Sequence, residues 1–287
     1  MYRTLSAYLK ERYGGKIKKI CIDGGFSCPN RDGRCGTGGC IYCGERGAGE
    51  HINAELGIRE QVEAGLARGN ADGYIAYFQN FSNTYAPVST LRSRYSAALI
   101  DERIKVLAIG TRPDCIDEEI CDLLAEMQTK IDIWVELGLQ TASDATAKLI
   151  NRGYKLEAFR RAARLLSEHG IPFVVHMIIG LPGEGESEAL ATAEEIIHSG
   201  AWGIKIHSIY VMKGTRLADM WRSAEYTPPS FEEYTDTAAS VLRLIDRELV
   251  VHRITGDCPE GMLLAPEWNR EKARVIDTVR KKLEAIK

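Results

Sequence analysis

Residues 17–43 read IKKICIDGGFSCPNRDGRCGTGGCIYC, and this stretch decides how the rest of the chain is interpreted. Residues 17–23 contain three isoleucines and stop at Gly24, which predicts a β-strand. Residues 24–44 have neither helical nor strand periodicity, so they predict a long loop rich in Gly and Cys. Long loops inside compact domains are usually functional, and this loop is therefore the first candidate for a site.

The chain has eight cysteines, of which five fall within residues 21–43. In a reducing compartment such a cluster indicates metal binding before it indicates disulfides. Cys28, Cys40 and Cys43 have the spacing C-x11-C-x2-C. Three thiolates can hold a [4Fe–4S] cluster and leave its fourth iron open to a ligand. The spacing alone leaves two alternatives: a four-thiolate zinc site that adds Cys35, and a redox pair formed by Cys40 and Cys43.

Downstream of the loop, helical and strand patterns alternate. Helical periodicity occurs at 54–69, 88–101, 117–128, 143–169 and 186–199, and short apolar runs occur at 74–78, 106–109, 133–139, 173–179 and 204–211. With the first strand, this makes six βα repeats over residues 17–216, which predicts an α/β fold with a parallel sheet, either doubly wound or barrel-like. The alternation then stops, so we expect two domains: residues 1–216, and an extension of residues 217–287 packed on the first. In this extension, Ser230 is expected to cap a helix over 231–248, and 249–254 reads as a further strand.

Composition excludes several classes of protein. Hydrophobic residues make up 45% and charged residues 27% of the 287 residues, which is typical of a globular chain. The net charge of −3 gives no overall basic field for nucleic acid. No apolar run approaches the roughly 20 residues of a spanning helix, and the N-terminus has no apolar signal core. We therefore expect a cytoplasmic protein without a membrane partner.

The cysteine loop, placed after the first strand of a six-fold βα repeat, resembles that of the radical S-adenosylmethionine (radical SAM) superfamily. The segments Cys28-Pro-Asn-Arg-Asp-Gly33 and Gly38-Gly-Cys-Ile-Tyr-Cys43 are similar to those of its YhcC/YtqA-like branch, which is related to the elongator catalytic subunit and to oxygen-independent coproporphyrinogen oxidase. The resemblance implies a partial (β/α)6 TIM-type barrel. It also implies that Cys28, Cys40 and Cys43, without Cys35, bind a [4Fe–4S] cluster, with Tyr42 beside it.

The resemblance further implies that S-adenosylmethionine (SAM) binds at the other strand ends. The candidate contacts are neutral acceptors after the second strand, a threonine after the third, two polar residues on the fourth, an arginine that meets the methionine carboxylate, and a glycine that flanks adenine. These residues are Gln79, Asn80, Ser82, Thr111, Glu136, Gln140, Arg152 and Gly180.

Polar residues on buried strands are the candidates for catalysis. Strand alternation places Lys205 and His207 on one face of the sixth strand, and His176 lies within the apolar fifth strand. Buried polar side chains persist only where partners or substrate satisfy them. We therefore expect these three residues to line a substrate cavity, with Glu136 as a partner of Lys205.

The implied function is a radical enzyme. Its cluster would cleave SAM to a 5′-deoxyadenosyl radical that abstracts hydrogen from a substrate, with electrons from an external donor of the flavodoxin or ferredoxin type. Kinship with the elongator subunit suggests tRNA as the substrate, through modification of a wobble uridine. A small molecule or a protein remains an alternative substrate. A different class of function, a non-catalytic zinc- or cluster-binding barrel that acts as an interaction module, is the second alternative.

Overall fold

A computed structural model of the protein describes residues 2–47, 49, 52–246 and 248–285. In chain order, its strands and α-helices are β1 (Arg3–Thr4), α1 (Leu5–Tyr13), β2 (Ile17–Ile22), α2 (Ile58–Arg68), β3 (Gly73–Phe78), α3 (Val88–Ala98), β4 (Ile104–Thr111), α4 (Glu118–Gln128), β5 (Asp132–Gln140), α5 (Asp144–Leu149), α6 (Leu156–Glu168), β6 (Phe173–Ile179), α7 (Glu186–His198), β7 (Gly203–Ser208), β8 (Val211–Met212), α8 (Arg216–Arg222), α9 (Phe231–Leu244), β9 (Val250–Arg253), β10 (Leu263–Ala265) and α10 (Lys272–Glu284). Short 3₁₀ turns cover Pro113–Cys115 and Glu267–Arg270.

The main sheet contains eight of the described strands, all parallel, in the order β1-β9-β7-β6-β5-β4-β3-β2. Strands β2 to β7 are consecutive neighbours separated by helices, so the six predicted βα repeats and the partial barrel are confirmed. The sheet curls into an open half barrel. The run predicted at 204–211 ends as β7 at Ser208, and Val211–Met212 instead pairs antiparallel with β10 in a separate two-stranded sheet.

The largest core lies between the outer face of the sheet and the helices. It contains the helix-facing residues of strands β2 to β7, such as Ile204 and Ile206 of β7. A second core fills the amino end of the barrel, where Leu5 and Leu9 of α1 pack against Val106, Trp134 and other strand residues. The α1 helix thereby closes this end, which leaves a cavity at the carboxyl ends of the strands.

Helix boundaries follow local capping signals. Ser230 accepts a hydrogen bond from the Glu233 amide, and Glu233 caps Ser230 in return, which confirms the predicted start of α9. The helix predicted over 143–169 is wrong, because α5 and α6 are separated by residues 150–155. Asn151 and Gly153 there have φ of 53° and 83°, a left-handed conformation that a helix cannot continue through.

The C-terminal residues take part in the sheet. Strand β9 pairs with both β7 and β1, so the predicted strand at 249–254 is an integral part of the half barrel. Helix α10 packs against α9 on the outside. Within the described ranges, no helix is both long enough and apolar enough to cross a membrane.

Candidate active site

A cavity of about 1350 Å³ lies at the carboxyl ends of the strands. The cysteine loop borders one end, side chains from within β2, β3, β5, β6, β7 and β9 form the base, and the segment 255–263 covers part of the mouth. Ligand pockets in proteins usually measure about 300–1,000 Å³, so this cavity has room for more than one small molecule.

Cys28, Cys40 and Cys43 all border this cavity, as does Tyr42. The loop that carries them is tied to the break between α5 and α6. Asn30 Nδ2 donates to the Asn151 carbonyl oxygen at 2.5 Å, and Asn151 Nδ2 donates to the Gly39 carbonyl oxygen at 2.8 Å. The interruption of the helix therefore serves to hold the cysteine loop.

The thiols differ in their surroundings. A hydrogen bond from Cys43 lowers the pKa of Cys40 to about 6, although burial opposes this shift. Cys35 is exposed and lies 3.5 Å from Arg112 Nη2, on the side where Arg112 pairs with Asp114. Among the described residues, no three His, Cys, Asp or Glu side chains are close enough together to hold a single metal ion.

Two arginines lie beside the cysteine end. Arg112 forms a bidentate pair with Asp114 (2.9 and 2.8 Å), and its Nη1 lies 4.0 Å from Cys28 Sγ. Both Arg112 and Arg152 stack on Tyr154, with 4.7 and 4.4 Å from guanidinium carbon to ring centroid. Arg152 borders the cavity and is 1% exposed.

The guanidinium of Arg152 is mostly engaged by backbone. Its Nη1 donates to the carbonyl oxygens of Leu139 and Thr141, both at 2.6 Å, and its Nε donates to that of Tyr154. Within the part of the chain that the structure describes, Nη2 is buried without a hydrogen-bond partner and lies 3.7 Å from the Asp144 carboxylate. One donor of Arg152 therefore remains available for a ligand.

Gln140 stands at the end of β5 in a strained conformation. Its φ is 69°, which non-glycine residues seldom adopt, and the pairing of β5 with β6 shifts register between Gly138 and Gln140. A Cβ on Gly138 would lie 2.9 Å from Gln140 Nε2, so glycine at 138 makes room for this side chain. Gln140 borders the cavity, and backbone strain of this kind clusters at functional sites.

The remaining strand-end candidates divide into two groups. Gln79, Ser82 and Thr111 border the cavity. Asn80 is buried outside its lining, where its Nδ2 donates to Asp23 Oδ2 at 2.6 Å. Gly180 is also outside the lining, because it packs against Pro229 and Ile209, where a Cβ would come within 2.8 Å of both. Asn80 and Gly180 therefore do not line the cavity and instead stabilise the segments next to it.

A buried ionic network forms the base of the cavity, with Glu136 at its centre. Its Oε2 accepts from Lys205 Nζ at 2.7 Å and lies 2.8 Å from His176 Nε2. Its Oε1 accepts from Trp134 Nε1 at 3.3 Å and lies 3.5 Å from Lys19 Nζ. Both oxygens are thus satisfied by protein groups, and the expected pairing of Lys205 with Glu136 is present.

The network sets the charge of its members. Burial alone would raise the pKa of Glu136, but Lys19, Lys205 and His176 hold it well below the usual range. Burial lowers the pKa of Lys205 to about 8, against the pull of Glu136. Burial and Lys205 lower the pKa of His176 to about 4. At neutral pH the carboxylate is therefore ionised, and the His176 imidazole is neutral.

His207 lies next to this network, with its ring centroid 5.1 Å from that of His176, and both border the cavity. Three further residues of the base were not singled out by sequence reasoning as site residues: Lys19, His252 and Arg253. Lys19 is half-buried and follows the exposed Lys18 in β2, so strand alternation could have identified Lys19 as an inward-facing residue. His252 and Arg253 lie on β9, and the sequence does not show that this strand joins the sheet beside β7.

Comparison with protein families gives two matches along the chain. The model of the radical SAM superfamily matches residues 31–196, which is more than half of the chain. The model of the radical SAM C-terminal domain matches residues 201–285. Among curated proteins, the chain is 40% identical over 263 residues to Protein YhcC of Escherichia coli, covering 91% of this chain and 85% of that protein.

Two more distant relatives bear on function. A tRNA uridine(34) acetyltransferase of Dehalococcoides mccartyi is 32% identical over 165 residues, which cover 55% of this chain and 35% of that protein. Among solved structures, Elp3 from the archaeon Methanocaldococcus infernus superimposes with a TM-score of 0.70 at 17% identity, over 93% of this chain and 64% of that one. This chain therefore matches only about a third of the acetyltransferase, and the likeness to Elp3 is one of fold.

Proposed function

The chain belongs to the radical SAM superfamily of enzymes, in the branch that contains YhcC, and from this premise we propose that its cavity binds a [4Fe–4S] cluster and SAM and acts on a tRNA wobble uridine. One observation carries the proposal. The three cysteines of the loop and the polar residues of several strand ends border a single cavity. This arrangement is the one that a cofactor held at the carboxyl ends of parallel strands requires.

The donor set fits a cluster. Cys28, Cys40 and Cys43 supply three soft thiolate ligands and would leave one iron for SAM. When bound, the cluster and SAM supply a 5′-deoxyadenosyl radical that takes a hydrogen atom from the substrate. The one electron needed would come from an external donor of the flavodoxin or ferredoxin type. Arg112, 4.0 Å from Cys28 Sγ, places a positive charge beside the thiolates.

The protein residues bind, orient and shield the reactants. The Nη2 of Arg152, which has no hydrogen-bond partner among the described residues, would meet the carboxylate of SAM. Polar contacts along the strand ends would come from Gln140, Gln79, Ser82 and Thr111. Tyr42 would lie beside the cluster. Glu136 would act as a positioning residue, since its oxygens are already bound by Lys205, His176 and Trp134. Lys205, His176 and His207 would face the substrate.

Support for tRNA comes from the names of the relatives and from one surface. Elp3 and the tRNA uridine(34) acetyltransferase share this fold or sequence over the barrel. On α6, Arg161 and Arg164 have no ion-pair partner among the described residues. They border a surface groove whose other charged lining residues are Arg34 and four acids, Asp114, Asp117, Glu118 and Glu168. The basic residues of α10 are instead paired, for example Lys282 with Glu232 and Asp236, which makes α6 the better candidate for phosphate contacts.

Two measurements test this function. Anaerobically reconstituted, dithionite-reduced protein should convert SAM to 5′-deoxyadenosine and methionine, and Cys40→Ala should not. Mass spectrometry of tRNA nucleosides should show one modified uridine that disappears on gene deletion and returns with the intact gene but not with the Cys40→Ala gene. An unchanged nucleoside profile would exclude tRNA as the substrate while leaving the SAM cleavage result standing.

A further inference from the structure

We propose that the base of the cavity is an anion-binding site, formed by Lys19, Arg253 and His207, which takes a carboxylate or phosphate group of the molecule on which the enzyme acts. The inference deepens the proposed function, because it names a chemical feature of the substrate. It depends on that function only for the statement that the bound anion belongs to a substrate.

The first ground is charge. The base and the adjoining wall of the cavity carry five cations and three carboxylates: Lys19, Lys205, Arg253, Arg270 and Lys272, against Glu136, Asp257 and Glu260. Asp257 pairs with two of these cations: its carboxylate lies 3.6 Å from Arg253 Nη2 and contacts Lys272 Nζ. Among these lining residues the cations therefore outnumber the carboxylates by two, because Lys19 and Lys205 share Glu136 just as Arg253 and Lys272 share Asp257. Uncompensated charges in a partly buried site are costly, and a bound anion would remove that cost.

The second ground is the register of the sheet. Lys205 of β7 and Arg253 of β9 are direct neighbours across the two parallel strands. Like charges in neighbouring positions destabilise a sheet unless an opposite charge separates them. Glu136 is bound to Lys205 and lies close to Lys19, while the nearest acid to Arg253 is Asp257 at the mouth. Glu136 thus offsets Lys205, and Arg253, with its nearest acid 3.6 Å away, presents positive charge to the cavity.

The third ground is an unused polar atom. His207 borders the cavity, and its Nε2 is buried without a hydrogen-bond partner within the described ranges. A buried imidazole nitrogen normally has a partner, so a ligand group is the simplest one here. Lys19 keeps 28% and Arg253 26% of its side chain exposed, which leaves both cations accessible from the cavity.

The two ends of the cavity also differ in how charge can be balanced. At the cysteine end, three thiolates would offset Arg112 and Arg31, and Asp114 already pairs with Arg112. Cys21 borders the base, but burial raises the pKa of its thiol, so it supplies no negative charge there. With a volume of about 1350 Å³, the cavity has room for a second molecule whose anionic group reaches the base.

The test uses the full-length protein with its cluster and isothermal titration with four probes: propionate, methyl phosphate, and the neutral matched molecules propionamide and methanol. We expect saturable binding of at least one anion, at least tenfold tighter than its neutral counterpart. Lys19→Met and Arg253→Met should each weaken that binding about tenfold or more. Lys18→Met, an exposed lysine one residue away on the opposite face of β2, should leave it unchanged.

The outcomes distinguish a carboxylate from a phosphate ester, and they distinguish failure of this proposal from failure of the proposed function. Preference for propionate assigns a carboxylate, and preference for methyl phosphate assigns a phosphate ester. Binding of neither anion, or equal binding in the wild type, Lys19→Met and Arg253→Met, overturns the proposal. Since titration does not measure SAM cleavage, a protein that binds the anion but does not cleave SAM would contradict the proposed function and leave this inference standing.

Discussion

The cysteine end and the base of the cavity are built in opposite ways. The cysteine end is a loop of residues close together in the chain, with Gly38 and Gly39 at φ of 77° and with Phe26 and Ile41 packed in the hydrophobic cores. The base is assembled from six strands, β2, β3, β5, β6, β7 and β9, whose side chains meet around Glu136 and Lys205. The difference suggests that changes in the loop should remove the cofactor without unfolding the protein, whereas changes at the base should affect stability first.

The largest expected effect is at the cysteine end. Replacing Cys28, Cys40 or Cys43 by Ala should abolish iron binding and SAM cleavage, because each thiolate holds one iron of the cluster. The free energy of unfolding of the iron-free protein should change by less than about 1 kcal/mol, since the three cysteine side chains, unlike Phe26 and Ile41 of the same loop, belong to none of the described hydrophobic cores. Iron content and the visible absorption of the reconstituted protein measure the first effect, and urea unfolding measures the second.

Cys35→Ala is the matched control, because Cys35 belongs to the same loop but is exposed beside Arg112. It should retain about four irons. If Cys35→Ala also lost its iron and the wild type carried a single zinc, the three-cysteine assignment would have to be abandoned.

The next effect is at the base. Lys205→Met should lower the free energy of unfolding by about 3 kcal/mol, because it leaves the fully buried Glu136 carboxylate without its closest cation. The value lies at the low end of the range for buried pairs, since Lys19 and His176 remain. In a chain of this size the change corresponds to a fall in Tm of about 6–12 °C.

A second variant identifies the cause of that loss. Glu136→Gln/Lys205→Met removes both charges and keeps an amide near Trp134 and His176, so it should recover about half of the lost stability. Lys18→Met should stay within about 0.5 kcal/mol of the wild type. A double variant as unstable as Lys205→Met would mean that lost packing, not a stranded charge, causes the effect.

The third prediction concerns pH. Burial lowers the pKa of His176 to about 4 and the pKa values of His207 and His252 well below their usual range. In the unfolded chain these histidines titrate near pH 6.5, so between there and their folded values the unfolded state binds more protons. Stability should therefore fall as the pH decreases below about 6.5, by at most about 1.4 kcal/mol per pH unit for each histidine.

His252→Phe tests this slope. The His252 ring lies edge-on to Trp134 and Trp202, at 5.6 and 5.2 Å, and neither of its nitrogens has a hydrogen-bond partner in the part of the chain that the structure describes. Phenylalanine can keep the aromatic contacts, so the variant should show a shallower loss of stability from pH 6.5 to 5 in urea unfolding. His198→Gln, at the end of α7, should keep the wild-type slope. Equal slopes in all three proteins would contradict the prediction.

The same contrast explains what the sequence could predict. The loop motif and the six βα repeats depend on residues close together in the chain, and both were found from the sequence. Strand β1 has only two residues and pairs with β9 almost 250 positions later, so no local pattern indicates it. The break of the helix at 150–155 was missed, although Asn151 and Gly153 gave a signal for it.

Site residues follow this pattern as well. Strand alternation placed Lys205 and His207 on one face, and the cost of burying polar side chains predicted that this face points inward and that Lys205 contacts Glu136. It could not separate Gly180 from the cavity, because the contact of Gly180 with Pro229 joins residues that are distant in sequence. It also missed Lys19 and Arg253, whose importance depends on which strands are neighbours. The boundary between residues 216 and 217 remains a proposal about domains, since β9 from the extension completes the sheet.

The smallest expected effect is at Gln140, where the two ends of the cavity meet. Gln140 combines a left-handed backbone with a side chain that borders the cavity. Gln140→Ala removes the side chain and keeps the strain, whereas Gln140→Gly removes both. The glycine variant should therefore be about 1 kcal/mol more stable than the alanine variant in urea unfolding. If the side chain donates one neutral hydrogen bond to SAM, both variants should bind SAM about threefold to tenfold more weakly, with iron content unchanged.

Equal stability of the two variants would show that the backbone is not strained at this point. Equal SAM affinity of both variants and the wild type, measured by calorimetry on the reconstituted protein, would show that Gln140 shapes the end of β5 without touching the cofactor.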